Sequence, residues 1–374
     1  MKVIFTCGGT GGHINPAIAV AREMQERHPD CEILFVGCEM EMEEKLVPQA
    51  GFRLVTVPGS GLARGFSWKD IRFNARAVKF MVQAMTKVRR IIRDFQPDVI
   101  MGTGGYASFA ALYVGSRMGI PTCVHESNAM PGLTTRMVAN RADRIMVNFP
   151  ESAGYYRNPQ RVRVVGMPVR REFVFNTRAK ARQELGIGDA PLVVSAFGSL
   201  GATEMNKAVA GVLAREKKDG FPFFHIHATG AYGWDSTREY LKEAGVDPKD
   251  SKKIQVLEYI YNMPTLMAAA DVIIGRAGAS TCNEIAVTGT PCILIPSPNV
   301  TDNHQEKNGR VLADRGGAVL ILEKDCTAAL LYDTIKELLG DPARRDGMRK
   351  ALQGMVIPNS AVQICQALEE LAKA

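Results

Sequence analysis

Short apolar runs and amphipathic helical patterns alternate along this whole chain, and the alternation starts again past its midpoint. Apolar runs at residues 33–36, 54–57, 122–124 and 145–147 are separated by helical patterns at 17–27, 69–93 and 133–140. After residue 190 the order resumes, with runs at 192–197, 223–227, 254–257, 272–274 and 292–295. Strands that alternate with helices in this way predict an α/β fold of two doubly wound units with parallel sheets. The length of 374 residues agrees, being too great for one compact core. Gly166 and Pro168 break regular structure where the halves join. The predicted domains are 1–166 and 167–355. The last segment, 356–374, has helical apolar spacing at Val362, Ile364, Leu368 and Leu371 and is expected to cross back to the N-terminal domain.

Three glycine-rich turns follow strand-like runs. They are Gly8-Gly9-Thr10-Gly11-Gly12-His13, Gly102-Thr103-Gly104-Gly105-Tyr106 and Gly198-Ser199-Leu200-Gly201. Glycine lets backbone N–H groups approach an oxygen-rich ligand, and a following helix N-terminus adds partial positive charge. Three such turns, split between the two halves, predict a cleft for a nucleotide diphosphate and a second phosphorylated substrate. Asn15-Pro16 reads as a helix start, with Asn15 as N-cap and His13 on the loop before it. A histidine there can accept a hydroxyl proton near neutral pH; the alternative is a polar loop residue donating a local hydrogen bond. No G-x-x-x-x-G-K-[ST] run exists, which disfavours a P-loop enzyme. Gly102-x-Gly104-x-x-Ala107 fits the dinucleotide fingerprint, with Glu39 as a candidate acidic partner, but Ile14 breaks that pattern in the first turn. A dehydrogenase is the minority reading.

Three polar segments also sit at predicted strand ends. His125-Glu126-Ser127-Asn128 is either an ordinary strand-to-helix turn or a binding loop. The run from Gly275 to Glu284 begins with small residues that admit a ligand and then starts a helix, whose N-terminus can stabilise a departing diphosphate. Glu284, one turn into that helix, can accept two ribose hydroxyl protons; otherwise it is a capping carboxylate. Asp302-Asn303-His304-Gln305-Glu306 suits sugar hydroxyls.

The formal net charge of +7 is a mild basic excess that suits a phosphorylated substrate or an anionic membrane surface and does not require nucleic acid. The eight cysteines form no C-x-x-C pair, and reduced buried thiols of a cytoplasmic protein are the expected reading. The chain opens on a strand, so no secretory signal is expected, and no stretch is apolar enough to span a bilayer. Any membrane contact is expected to be peripheral. The segment 65–94 offers Trp68, Phe73, Phe80, Met81 and Met85 among eight Lys and Arg residues, a composition for docking on anionic lipid. The alternative is a basic helix packing its apolar side on the sheet.

The glycine turns at 8–13 and 102–106, the segment Glu126-Ser127-Asn128 and the region from Arg276 to Gln305, taken in this order, resemble the MurG family of peptidoglycan glycosyltransferases over essentially the whole chain. The resemblance implies a GT-B architecture of two Rossmann-like domains with a deep cleft between them, the first facing acceptor and membrane and the second binding UDP-sugar. It implies inverting transfer of N-acetylglucosamine from UDP-N-acetylglucosamine to the 4-hydroxyl of the muramoyl sugar of lipid I, giving lipid II, with no metal or other cofactor. Carried over by position, Thr10, Gly11, Gly12, Asn128, Arg170, Ser199, Ile260, Ala279, Ser280, Thr281, Cys282, Asn283, Glu284 and Gln305 would bind the donor. His13, Glu126 and Tyr106 would be the candidate catalytic residues. The implied partners are the donor, lipid I, an anionic phospholipid surface at the cytoplasmic face of the bacterial membrane and other cell-wall synthesis proteins, with no nucleic acid. The rivals are a fold-sharing transferase with another acceptor, a UDP-N-acetylglucosamine epimerase and a non-catalytic nucleotide-sugar binder.

Overall fold

The structure, a computed structural model, describes residues 1–59 and 67–373. The chain forms two compact units: unit 1 is Met1–Val169 with Ile357–Ala374, and unit 2 is Arg170–Val356.

Unit 1 runs β1 (Lys2–Thr6), α1 (Gly11–Arg27), β2 (Glu32–Cys38), α2 (Glu43–Gln49), β3 (Arg53–Val57), α3 (Trp68–Phe95), β4 (Val99–Gly102), α4 (Tyr106–Arg117), β5 (Thr122–Glu126), α5 (Leu133–Ala139), β6 (Arg144–Val147) and β7 (Val162–Val164). Its sheet is parallel throughout, in the order β3-β2-β1-β4-β5-β6-β7. Side chains of a strand alternate between faces, and β1 feeds two cores. Val3 and Phe5 pack with Ile14, Ala17 and Ala21 of α1 on one face, whereas Ile4 packs with Val88, Ile92 and Ala110 on the other. Covered on both sides, the central strands have no use for polar alternation, which is why they read as continuous apolar runs.

Unit 2 runs α6 (Arg171–Phe175), α7 (Arg178–Leu185), β8 (Leu192–Ala196), α8 (Thr203–Lys218), β9 (Phe224–Ala228), α9 (Trp234–Glu243), β10 (Ile254–Leu257), α10 (Met263–Ala269), β11 (Val272–Gly275), α11 (Ala279–Thr288), β12 (Cys292–Leu294), α12 (His304–Asp314), β13 (Ala318–Leu320), α13 (Ala328–Gly340) and α14 (Pro342–Gln353). Its parallel sheet is ordered β10-β9-β8-β11-β12-β13, the same winding as β3-β2-β1-β4-β5-β6. The chain then returns to unit 1 as α15 (Ser360–Ala372), which lays Ile364, Cys365, Leu368 and Leu371 into the core beneath α1.

Three strands, β7, β12 and β13, have only three residues each; β12 falls within the apolar run 292–295, whereas β7 and β13 match none of the expected runs. One helix start also differs from expectation. Thr10, not Asn15, is the N-cap of α1, and Pro16 lies inside the helix. The extended Thr10 (φ −143°, ψ 151°) turns its carbonyl to the N–H groups of His13 and Ile14 at 3.0 and 3.1 Å. Those bonds draw Gly11 and Gly12 into a helical turn that their propensity alone opposes. His13 therefore sits in the first turn of α1 rather than on a loop before it.

Candidate active site

In each sheet the winding direction reverses beside the central strand, between β1 and β4 in unit 1 and between β8 and β11 in unit 2. Loops that leave neighbouring strands in opposite directions open a crevice at their carboxyl ends, the usual ligand site of such sheets. All three glycine turns lie at these reversals.

In unit 1 the first two turns interlock. The Thr103 hydroxyl donates to the His13 carbonyl at 2.7 Å, and the Thr103 N–H donates to the Thr6 carbonyl at 3.0 Å. A Cβ on Gly104 would lie 2.8 Å from His13 Nε2, and one on Gly105 would lie 2.7 Å from the Gly8 carbonyl oxygen. Both positions also have positive φ, +119° and +87°, so only glycine allows the approach. His13 is half-buried, with Nδ1 3.0 Å from the Gly8 carbonyl oxygen. A carbonyl can only accept, so Nδ1 carries the proton and Nε2 presents its lone pair beside the second glycine turn. Thr10 is exposed, Gly11 and Gly12 are half-buried, and Tyr106 opens α4 with its side chain partly exposed.

The Glu126 loop lies one strand further along, at the end of β5. Its carboxylate is buried and accepts the Asn128 N–H (2.9 Å) and side-chain amide (3.1 Å) on one oxygen and the Gly132 N–H (3.0 Å) on the other. Both oxygens thus hold the loop that carries Asn128, and no described hydrogen bond joins them to His13.

In unit 2, α11 starts after the extended Gly278, so its unpaired N–H groups and positive dipole end lie at the end of β11. The Ser280 hydroxyl is buried there with no hydrogen-bond partner among the described residues. Ala279 and Cys282 are buried and offer only backbone, and burial pushes the Cys282 thiol up to about 12. Thr281 and Asn283 are half-buried, and the Asn283 amide donates back to the Ala279 carbonyl at 2.8 Å. Glu284 lies beyond the first turn, which removes the capping explanation. Burial pushes its carboxyl up to about 7, against the opposing pull of the Arg170 guanidinium. Arg170 itself lies over the Phe173 ring at 4.9 Å.

Ser199 is exposed on the third glycine turn, with its carbonyl held by the Ala231 N–H at 2.9 Å. Ile260 is buried just past β10. Gln305 lies in the first turn of α12, and its side-chain carbonyl accepts the Ser297 N–H at 2.9 Å. This assigns the amide oxygen, and Gln305 lines a cavity of about 410 Å³ with Gly201, Thr203, Arg276, Asn299 and Glu323. There Arg276 pairs with Glu323 at 2.5 Å and donates to the Ile295 carbonyl at 3.1 Å.

The sequence singled out Gly201, Arg276 and Gln305 as separate segments; unit 2 folds them around one cavity. Sequence reasoning passed over Glu323 and, in unit 1, Glu43. Both stand in ordinary acidic stretches, where only tertiary burial distinguishes a structural carboxylate from a solvated one.

Two family models match this arrangement: the glycosyltransferase family 28 N-terminal domain over residues 3–147 and the family 28 C-terminal domain over residues 192–364. The UDP-N-acetylglucosamine–N-acetylmuramyl-(pentapeptide) pyrophosphoryl-undecaprenol N-acetylglucosamine transferase of Acetivibrio thermocellus is 41% identical over 100% of this chain and 99% of its own length. The enzyme of the same name from Desulforudis audaxviator is 39% identical with the same coverage. The chain belongs to the MurG family. The crystal structure of Acinetobacter baumannii MurG superposes with a TM-score of 0.78 at 24% identity, covering 99% of both chains. Two Rossmann-like units with parallel sheets make this MurG-family chain a GT-B protein.

Proposed function

We propose that the chain transfers N-acetylglucosamine from UDP-N-acetylglucosamine to the 4-hydroxyl of N-acetylmuramic acid in undecaprenyl-diphosphoryl-MurNAc-pentapeptide, with inversion, converting lipid I to lipid II. The observation that carries this reading is full-length likeness to relatives bearing that name. The two strand-end sites support it with complementary chemistry. Unit 2 supplies the donor groups. The α11 N-terminus and the Ser280 hydroxyl meet the diphosphate, Arg170, Ser199 and the Ile260 backbone the rest of the nucleotide, the Glu284 carboxylate the ribose hydroxyls and the Gln305 amide the sugar hydroxyls. Unit 1 supplies the base. As O4 of the acceptor attacks the sugar C1, its proton passes to His13 Nε2, the C1–O bond to the diphosphate breaks, and UDP leaves with its charge stabilised by backbone N–H donors. Thr10, Gly11, Gly12, Tyr106 and Asn128 line the acceptor and transferred sugar, and Glu126 orients Asn128.

Among the described residues no helix is long and apolar enough to cross a membrane, whereas a polyprenyl acceptor stays in the bilayer. Docking on the anionic cytoplasmic surface through α3 fits both facts. Phe80 is half-buried, and Met81 and Met85 pack on the core of unit 1; Val78 and Val82 are 60% and 59% exposed, one helical turn apart, among Arg72, Arg76, Lys79 and Lys87. Gly65 and the side chains of Trp68 and Phe73 lie outside the described residues. Turnover with UDP-N-acetylglucosamine and a short-chain lipid I analogue tests the reading. UDP release that requires the acceptor is expected, and UDP release or sugar epimerisation without it overturns the transfer. Sedimentation with vesicles should require anionic lipid and weaken in a Val78→Ser, Val82→Ser variant; binding indifferent to both places the docking surface elsewhere.

A further inference from the structure

Glu43 is fully buried, yet its carboxylate meets none of the amides of α2, the helix it begins. One oxygen accepts the Cys38 N–H at 2.8 Å at the end of β2, and the other accepts the Gly9 N–H at 3.2 Å. Gly37 makes the room: a Cβ there would lie 2.5 Å from Glu43 Cγ. Burying a carboxylate is expensive unless donors are arranged around it, and this one is aimed under the first glycine turn.

The Gly9 N–H and the Gly8 carbonyl belong to one peptide group, which is trans. In a trans peptide the N–H and C=O point in opposite directions. Glu43 therefore holds one end of the Gly8–Gly9 peptide while His13 Nδ1–H holds the other, at 3.0 Å. Without a constraint this peptide is poorly fixed. Both of its residues are glycine, and Gly9, with φ +82°, has nothing within 4 Å of where a side chain would begin. A flip of the peptide plane would turn the N–H toward His13. Nδ1 would then have to accept, the proton would move to Nε2, and the lone pair facing the second glycine turn would be lost.

We propose that Glu43 is a positioning residue that keeps His13 in the Nδ1–H tautomer by locking the Gly8–Gly9 peptide between a carboxylate and the imidazole. The arrangement does what a carboxylate bonded directly to a histidine does in hydrolytic triads, where the wrong tautomer is strongly impairing. Here one peptide group stands between carboxylate and ring. The carboxylate also polarises that peptide, so its carbonyl accepts the Nδ1 proton more strongly.

The proposal rests on His13 as the base, and the test separates the two ideas. The full chain, labelled with nitrogen-15 in histidine, is examined by long-range proton–nitrogen correlation at about pH 8.5, above the ordinary imidazole titration range. The His13 signals are assigned by their loss in His13→Ala. The native protein should show His13 predominantly as the Nδ1–H tautomer. Glu43→Gln, which keeps size but removes the charge and one acceptor, should give a mixture of tautomers. It should also lower kcat by roughly 10- to 100-fold, within the range for impaired general-base catalysis, with the KM for UDP-N-acetylglucosamine unchanged. An Nε2–H tautomer in the native protein overturns the proposal even if no variant folds. So does a folded Glu43→Gln protein with native tautomer and native kcat. If His13→Ala retains full turnover while Glu43→Gln still shifts the tautomer, the base assignment fails and the peptide lock stands.

Discussion

His13 and Glu284 are the two residues whose behaviour depends most on what surrounds them. With Nδ1 committed to the Gly8 carbonyl, the chemistry of His13 rests on Nε2 alone. His13→Ala is expected to lower turnover by roughly 100-fold or more, the usual scale for loss of a general base. UDP affinity, assigned above by proposal to unit 2, should hardly change; steady-state kinetics beside calorimetry with UDP measures both. Glu284 makes a pH-dependent prediction with two opposite signs. Its carboxyl titrates at about 7 in the folded chain against an ordinary 4.5. Between those values the folded chain holds a proton that the unfolded chain has released, so this group's contribution to stability falls as pH rises through the window. Glu284→Gln should therefore raise the thermal midpoint at about pH 8 and leave it nearly unchanged below pH 4.5. The proposed ribose contact uses the carboxylate and runs the other way: one unit below the midpoint, UDP affinity should be weaker by about tenfold than with the carboxyl fully ionised. Calorimetry across that range checks it, and a flat profile removes Glu284 from the ribose contact.

At the scale of elements, the site is made by neighbouring strands whose following loops must nearly touch. The β1 and β4 turns approach so closely that Gly105 admits no side chain, both for its φ of +87° and because a Cβ there would stand 2.7 Å from the Gly8 carbonyl oxygen. Gly105→Ala should push the two turns apart and displace the carbonyl that holds His13. The expected result is a loss of kcat of roughly tenfold or more, on the scale of misplaced catalytic groups, with UDP binding in unit 2 intact; unchanged kcat would show that the interlock has no part in the chemistry. The strands and their glycine turns were legible in the sequence, because buried parallel strands read as apolar runs and glycine marks their ends. The start of α1 was not. Asn15-Pro16 is a good local signal for a helix start, but the Thr10 carbonyl gathers the preceding glycines into the helix and moves His13 with them. The short strands β7 and β13 were illegible for a simpler reason: three residues carry no period, and at the sheet edges they are only partly buried, whereas the equally short β12 is fully buried and reads as an apolar run.

At the scale of the whole molecule, two units repeat one winding order, and the last helix, α15, belongs to the core of the first. Leu368 is fully buried beneath α1 beside Ile364 and Leu371. Leu368→Ala should destabilise unit 1 by about 2–5 kcal/mol, the range for a buried leucine truncation, and unfolding followed by circular dichroism would measure it. A loss under about 0.5 kcal/mol, typical of surface substitutions, would mean that α15 is not part of that core. The amino-acid sequence alone determined the α/β class, the repeated unit, the glycine turns and the order of motifs that places the chain in its family, because each is written in local periodicity or in short runs of adjacent residues. Only the tertiary structure decided which nitrogen of His13 is available, that the Glu126 carboxylate is committed to its own loop, and that Glu43 lies under the first glycine turn. Those facts depend on hydrogen bonds between residues far apart in the chain, and a buried carboxylate looks the same in sequence as a solvated one.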